Sequence, residues 1–226
     1  MRDDAIVALA ERHIVAAGMK GRRLARFAAG DRSWHLDLDN DEVRVGGRTF
    51  GVDVVGTASY ADDAWVWGWA SPEFEDRHTA SALRLRELGE TSGYARLADD
   101  RALPLTTMDP ELAGIIATGE ARAPGCIAGG YDDGGGMIVL LLHGPELAGE
   151  PYESTDLAET LTEITDVPVN HRRAVRGFEE LPEPGFGVAE SRDAEVVFTA
   201  PGGTVRVLFD DGGRIADVRA ELASGR

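Results

Sequence analysis

The sequence predicts an α+β fold in which antiparallel β-meanders are covered by helices, and three observations carry this. Stretches of alternating apolar and polar residues are grouped together, at 34–38, 42–45 and 50–54 early in the chain and at 195–200, 204–209 and 214–222 late in it. The turns between them are short and rich in Asp, Asn and Gly, which joins neighbours in antiparallel fashion. The helical patterns flank these groups, whereas a doubly wound parallel sheet needs a helix between successive strands. The whole reads as one α+β unit over residues 1–226. The Gly-, Pro- and Glu-rich stretch 146–154 is where a division into two packed helix-plus-meander halves would fall.

Element by element, Asp3 to Ala17 has acids in its first turn, where the helix dipole favours them, and an apolar stripe of Ile6, Leu9, Ala10, His13 and Ala17. Gly18 and Gly21 interrupt that pattern, and a second stretch, Arg22 to Ala29, is expected to resume it before Gly30. Trp34, Leu36 and Leu38 alternate as a first strand, Glu42 to Val45 returns, and Phe50, Val52 and Val54 begin a third. Asp62-Asp63 turns the chain into a strand carrying Trp65, Trp67 and Trp69, which Ser71-Pro72 ends because proline cannot donate to a ladder. Ala80 to Glu90 is a helix. Asp109-Pro110-Glu111 starts another, with a capping side chain, proline at the first helical position and then an acid. Cys126 to Tyr131 and Met137 to Leu142 form a hairpin whose tip is Asp132 to Gly136. Helices are expected over Thr155 to Ile164 and after Pro168, Leu181 to Gly187 is a loop, and three hairpin-linked strands close the chain.

Composition narrows the function classes. The net charge is −17, which repels nucleic acid and anionic membranes. No window approaches the roughly 18 consecutive apolar residues of a membrane-spanning helix. The N-terminal stretch lacks an apolar signal core, so a cytoplasmic location is expected. A single cysteine, Cys126, forbids an internal disulfide and any cysteine-based metal cluster. Lys20 is the only lysine, and the other basic residues are arginine.

Catalytic motifs are missing. Asp37-x-Asp39-x-Asp41 opens like a calcium loop, but Glu42 stands where the glycine belongs and Arg48 where the bidentate acid belongs, so it reads as a turn. The chain has no phosphate-binding glycine loop, no nucleophile elbow and no zinc-binding helix, and no metal or cofactor is expected. His13, His35, His78, His143 and His171 are far apart in sequence, and isolated histidines are more often structural than ligating. Cys126 reads as a small buried hydrophobe. Arg172, Arg173 and Arg176 form the one basic concentration near a histidine, His171. It would grip a carboxylate or phosphate, or would simply be a solvated helix face paired with Glu179 and Glu180.

Two readings of the tryptophans compete. Trp65, Trp67 and Trp69 at i, i+2 and i+4 leave one face of a strand, either as core under helices, the commonest use of large aromatics, or as the wall of a cleft that stacks on a flat ligand. The order W-H-L-D-L-D, E-V-R-V-G, F-x-V-x-V-V-G-T-A-S, W-V-W-G-W-A-S-P, L-R-E-L-G and I-I-A-T-G resembles an uncharacterised actinobacterial family of unknown function. That family is marked by a W-x-W-A-W-A-N-P-like segment, from which Gly68 and Ser71 depart. The resemblance covers residues 1–145 best and implies a cytosolic bacterial protein, with no catalytic residues attached.

The functional expectation is a non-catalytic module binding a small molecule or a protein, with Trp65, Trp67, Trp69, Trp34 and His35 at the ligand site. One alternative is an enzyme whose acids and His35 or His143 meet through space. Another is an acidic inhibitor or immunity protein with a contiguous acidic surface.

Overall fold

A computed structural model describes residues 3–28, 33–99, 101–131 and 134–222. The first helix, α1 (Asp4–Phe27), is capped by Asp3, whose carboxylate accepts from the Ala5 N–H at 3.0 Å. It runs unbroken through Gly18 and Gly21, where the sequence pattern breaks. Each internal glycine costs about 1 kcal/mol of helix propensity. At Gly18, however, a Cβ would lie 2.6 Å from Thr160 Cγ2, so the glycine is what lets a second helix pack there. The second expected stretch is thus the end of the same helix; Ala29 and Gly30 lie outside the described residues.

Two compact units are formed, one from residues up to Ala10 with Leu24–Gly149, the other from Glu11–Arg23 with the chain from Glu150 on. Helix α1 contributes to both. The segment 146–154, expected as a linker, holds part of a short helix, α5 (Pro145–Gly149), whose Leu147 is fully buried.

The first unit is built on a seven-stranded antiparallel sheet. Its strands are β1 (Trp34–Asp37), β2 (Glu42–Val45), β3 (Arg48–Ser59), β4 (Ala64–Trp67), β5 (Leu103–Pro104), β6 (Gly125–Tyr131) and β7 (Gly136–His143). Strand β3 is central. It pairs first with β2 and then with β4 along one side, and with β7 along the other. A bulge between Val54 and Gly56 shifts its alternation, so Phe50, Val52 and Val54 face one core while Val55 and Ala58 face the opposite one. Strand β7 divides likewise: Ile138, Leu140 and Leu142 join the first core, Val139 and Leu141 the second. Burial on both faces is why Met137 to Leu142 is continuously apolar. Helices α2 (Ala80–Ser92), α3 (Ala95–Ala98) and α4 (Pro110–Glu120) complete the unit. As the sequence predicts, α4 opens on Asp109, whose carboxylate accepts from the Leu112 N–H at 2.8 Å.

The second unit carries α6 (Ser154–Glu163), α7 (His171–Glu180) and a four-stranded antiparallel sheet in the order β11-β10-β9-β8. Three of its strands, β9 (Glu195–Ala200), β10 (Gly203–Phe209) and β11 (Ile215–Leu222), match the expected closing meander. Strand β8 (Gly187–Arg192) was not expected. It is an edge strand exposed along much of both faces, so its sequence carries no alternation to read. The core joins Val15 and Met19 of α1 to Leu161, Phe178, Phe198 and Val205.

Candidate functional site

The five residues picked out by sequence do not gather at one place: Trp65, Trp67 and Trp69 pack with one core, Trp34 with another, and His35 is exposed. Trp65 and Trp67 are fully buried, in a T-shaped pair with ring centroids 5.5 Å apart. The Trp67 indole N–H donates to the Arg96 carbonyl at 2.9 Å. Strand β4 stops at Trp67, and Gly68–Ala70 forms a 3₁₀ turn, so the third tryptophan does not continue the expected i+4 face. Trp69 is half-buried, with the Arg86 guanidinium 4.6 Å from its ring centroid. Trp34 is half-buried against the core containing Val52 and Leu140, the face of the sheet opposite Trp65 and Trp67, and its ring occupies the space beside Gly129. His35 is exposed.

The polar constellation of this unit centres instead on Asp53, a carboxylate within the central strand. Ser81, fully buried near the start of α2, donates its hydroxyl proton to Asp53 Oδ2. His143 closes β7, two residues along from Leu141, the register partner of Asp53. Its Nε2 lies 3.3 Å from Asp53 Oδ2, close enough for an ion pair but without hydrogen-bond alignment. Arg84, exposed on α2, donates to the Ser81 hydroxyl at 3.5 Å. Burial pushes the Asp53 carboxyl up; the His143 and Ser81 contacts, with the charge of Arg84 behind them, outweigh burial and hold it below the usual carboxylate range. The His143 side chain is 40% exposed while Nε2 is buried, so Nδ1 is the nitrogen turned toward solvent. The grouping of Asp53 and His143 with Ser81 and Arg84 escapes a motif search because it joins three stretches distant in sequence. The one local signal is an acid between valines, V-D-V, in the apolar middle of the strand, Phe50 to Gly56.

Three other histidines are structural. His13 is buried. His78 Nδ1 accepts from the Glu75 N–H at 3.2 Å, and its Nε2 lies 3.1 Å from the Leu38 carbonyl. His171 Nδ1 accepts from the Ile215 N–H at 3.0 Å, placing its proton on Nε2. Burial pushes the Cys126 thiol up to about 11, far from the lowered value a nucleophile needs. Asp37 accepts from both the backbone and the side-chain amide of Asn40, which makes the would-be calcium loop a turn. Asp132 and Asp133 of the glycine-rich tip lie outside the described residues. Among the described residues, no three His, Cys, Asp or Glu side chains are grouped to hold a metal ion, and no helix is long and apolar enough to cross a membrane.

Residues 7–145 match the model of a family of unknown function, DUF6882. The chain belongs to this family. Asp53, Ser81, Arg84 and His143 all fall within the matched region, as do the four tryptophans. No curated protein and no solved structure matches the chain.

Proposed function

We propose that this family member is a non-catalytic module that binds a small polar ligand at the surface formed by His143, Arg84 and the carboxylate of Asp53. The observation that carries the reading is the half-open His143 ring. One edge rests on a carboxylate held ionised within the sheet, and the other nitrogen faces solvent. Arg84 adds exposed donors beside it. Trp65 and Trp67 support the sheet from its core, and Trp69, in the 3₁₀ turn after β4, keeps some surface beneath Arg86, which lies on α2 with Arg84.

Binding is favoured over covalent catalysis because the nearby hydroxyl is spoken for. Ser81 donates to Asp53 rather than to the histidine and has no exposed surface, so it is no nucleophile. The same pair favours a second reading, proton transfer, since a carboxylate on one imidazole nitrogen with the other nitrogen open is the arrangement of a general base.

The test is a thermal-shift screen of small polar metabolites on the whole chain, with hits titrated by calorimetry against wild type, H143A and R84A, alongside iodide quenching of tryptophan fluorescence. The expected result is a ligand bound by wild type and weakened about tenfold or more in both variants. A ligand bound equally by H143A moves the site elsewhere. Turnover of the ligand that disappears in H143A replaces binding with the proton-transfer reading.

A further inference from the structure

The arginine cluster of the second unit has a structural setting that the family match, which ends at residue 145, does not reach. Arg172, Val175, Arg176 and Glu179 stand at i, i+3, i+4 and i+7 and so form one stripe of α7. Facing them are Ser191, Arg192 and Asp193 at the β8–β9 turn, Val196 of β9 and Phe209 at the end of β10. Together they line a groove of about 180 Å³. Of the sequence cluster, Arg172 and Arg176 enter it. Arg173 is committed elsewhere, to buried Glu11 at 2.5 Å, and Arg192 takes its place from β8.

Arg172 is fixed before any ligand arrives. Its guanidinium stacks 5.0 Å from the Phe209 ring centroid and donates to the Asp193 carbonyl. Gly213, at φ +77°, leaves room for it: a Cβ there would stand 2.7 Å from Arg172 Nε. Arg176 is exposed, and among the described residues it forms no salt bridge. Arg192 holds Glu190 at the groove margin with a side chain that is largely exposed.

We infer that this groove binds a small organic molecule through a phosphoryl group. Three guanidiniums face the groove against Glu179 and Asp193 of its lining and Glu190, which Arg192 pairs at the margin; among the described residues Arg172 and Arg176 form no salt bridge, so their charges stay available to an anion. A single guanidinium satisfies a carboxylate by a bidentate contact, whereas arginines presented from two elements suit an oxyanion with three acceptor oxygens and about −1.5 to −2 charge at neutral pH. Val175, Val196 and Phe209 supply an apolar wall for the organic part. The volume limits the ligand to a small one.

Calorimetric titration of phenyl phosphate and of benzoate into the whole chain tests this, since the two probes share an apolar ring and differ in the anion. The variants are R176Q and R192Q, both at exposed side chains, with folding checked by circular dichroism. Wild type is expected to bind phenyl phosphate at least tenfold more tightly than benzoate, with each variant losing about tenfold or more. Absence of phenyl phosphate binding, equal binding by the variants, or benzoate binding as tight as phenyl phosphate would each overturn the inference. None of these results bears on the His143 surface, which belongs to the other unit.

Discussion

Replacing Glu183 by glutamine should destabilise the second unit far more than a one-atom change suggests. The only lysine, Lys20, is 4% exposed, with its ammonium 3.1 Å from Glu183 Oε1. Glu183 Oε2 accepts from the Tyr152 hydroxyl at 3.0 Å. Burial first, and then the Glu183 charge, hold that hydroxyl well above the usual phenol range, so it remains a neutral donor. The Arg23 guanidinium lies 4.3 Å from the Tyr152 ring centroid. A glutamine offers one carbonyl oxygen to two donors. It turns an N–H toward either Lys20 or Tyr152 and removes the carboxylate charge beside the buried ammonium. Breaking a buried pair from one side costs about 3–5 kcal/mol. With a urea slope of about 2 kcal/mol per molar, the midpoint should fall by about 2 M. The assay is urea unfolding followed by hydrogen exchange on peptides of α6 and α7, because all four tryptophans lie in the first unit and report on it instead. The double variant K20M/E183M removes both charges together and should recover to within about 1 kcal/mol of wild type or better. If E183Q costs under about 1 kcal/mol, or if the double variant shows the sum of the two single losses, the buried-pair reasoning is refuted.

Two further outcomes follow from the same kind of bookkeeping. Because the Asp53 carboxyl is lowered in the folded state, it contributes stability that is fully present above its unfolded value of about 3.9 and is lost as pH falls through the lower folded value. Unfolding free energy measured from pH 6 down to pH 2 should therefore fall less steeply in D53N than in wild type, and parallel curves would show that the His143 and Ser81 contacts do not favour the ionised form. Cys126 is half-buried, with its thiol raised to about 11, and should resist a thiol reagent at pH 8 in the native protein and react at once in denaturant; rapid stoichiometric labelling of the native chain would contradict the raised thiol.

Much of the fold was legible because local signals coincided with global packing. Asp109-Pro110-Glu111 predicts a helix start and caps one, and the closing meander over β9 to β11 alternates as half-buried strands do. Signals failed where packing overruled them. Gly18 looks like a break but serves as a contact point for Thr160, and the alternation of Trp65, Trp67 and Trp69 ends when the backbone turns at Gly68. Strand β8 has no pattern because its faces are open.

Sequence by itself determined the fold class, the net charge of −17, the single cysteine and the absence of a catalytic motif, since these are properties of composition and short-range pattern. Only the tertiary structure decided which side chains share a site. Asp53, Ser81 and His143 are brought together by the pairing of β3 with β7 and the packing of α2, and Arg192 joins Arg172 and Arg176 through the β8–β9 turn. Such contacts depend on strand pairings and helix packing between residues distant along the chain, which no local window of sequence records.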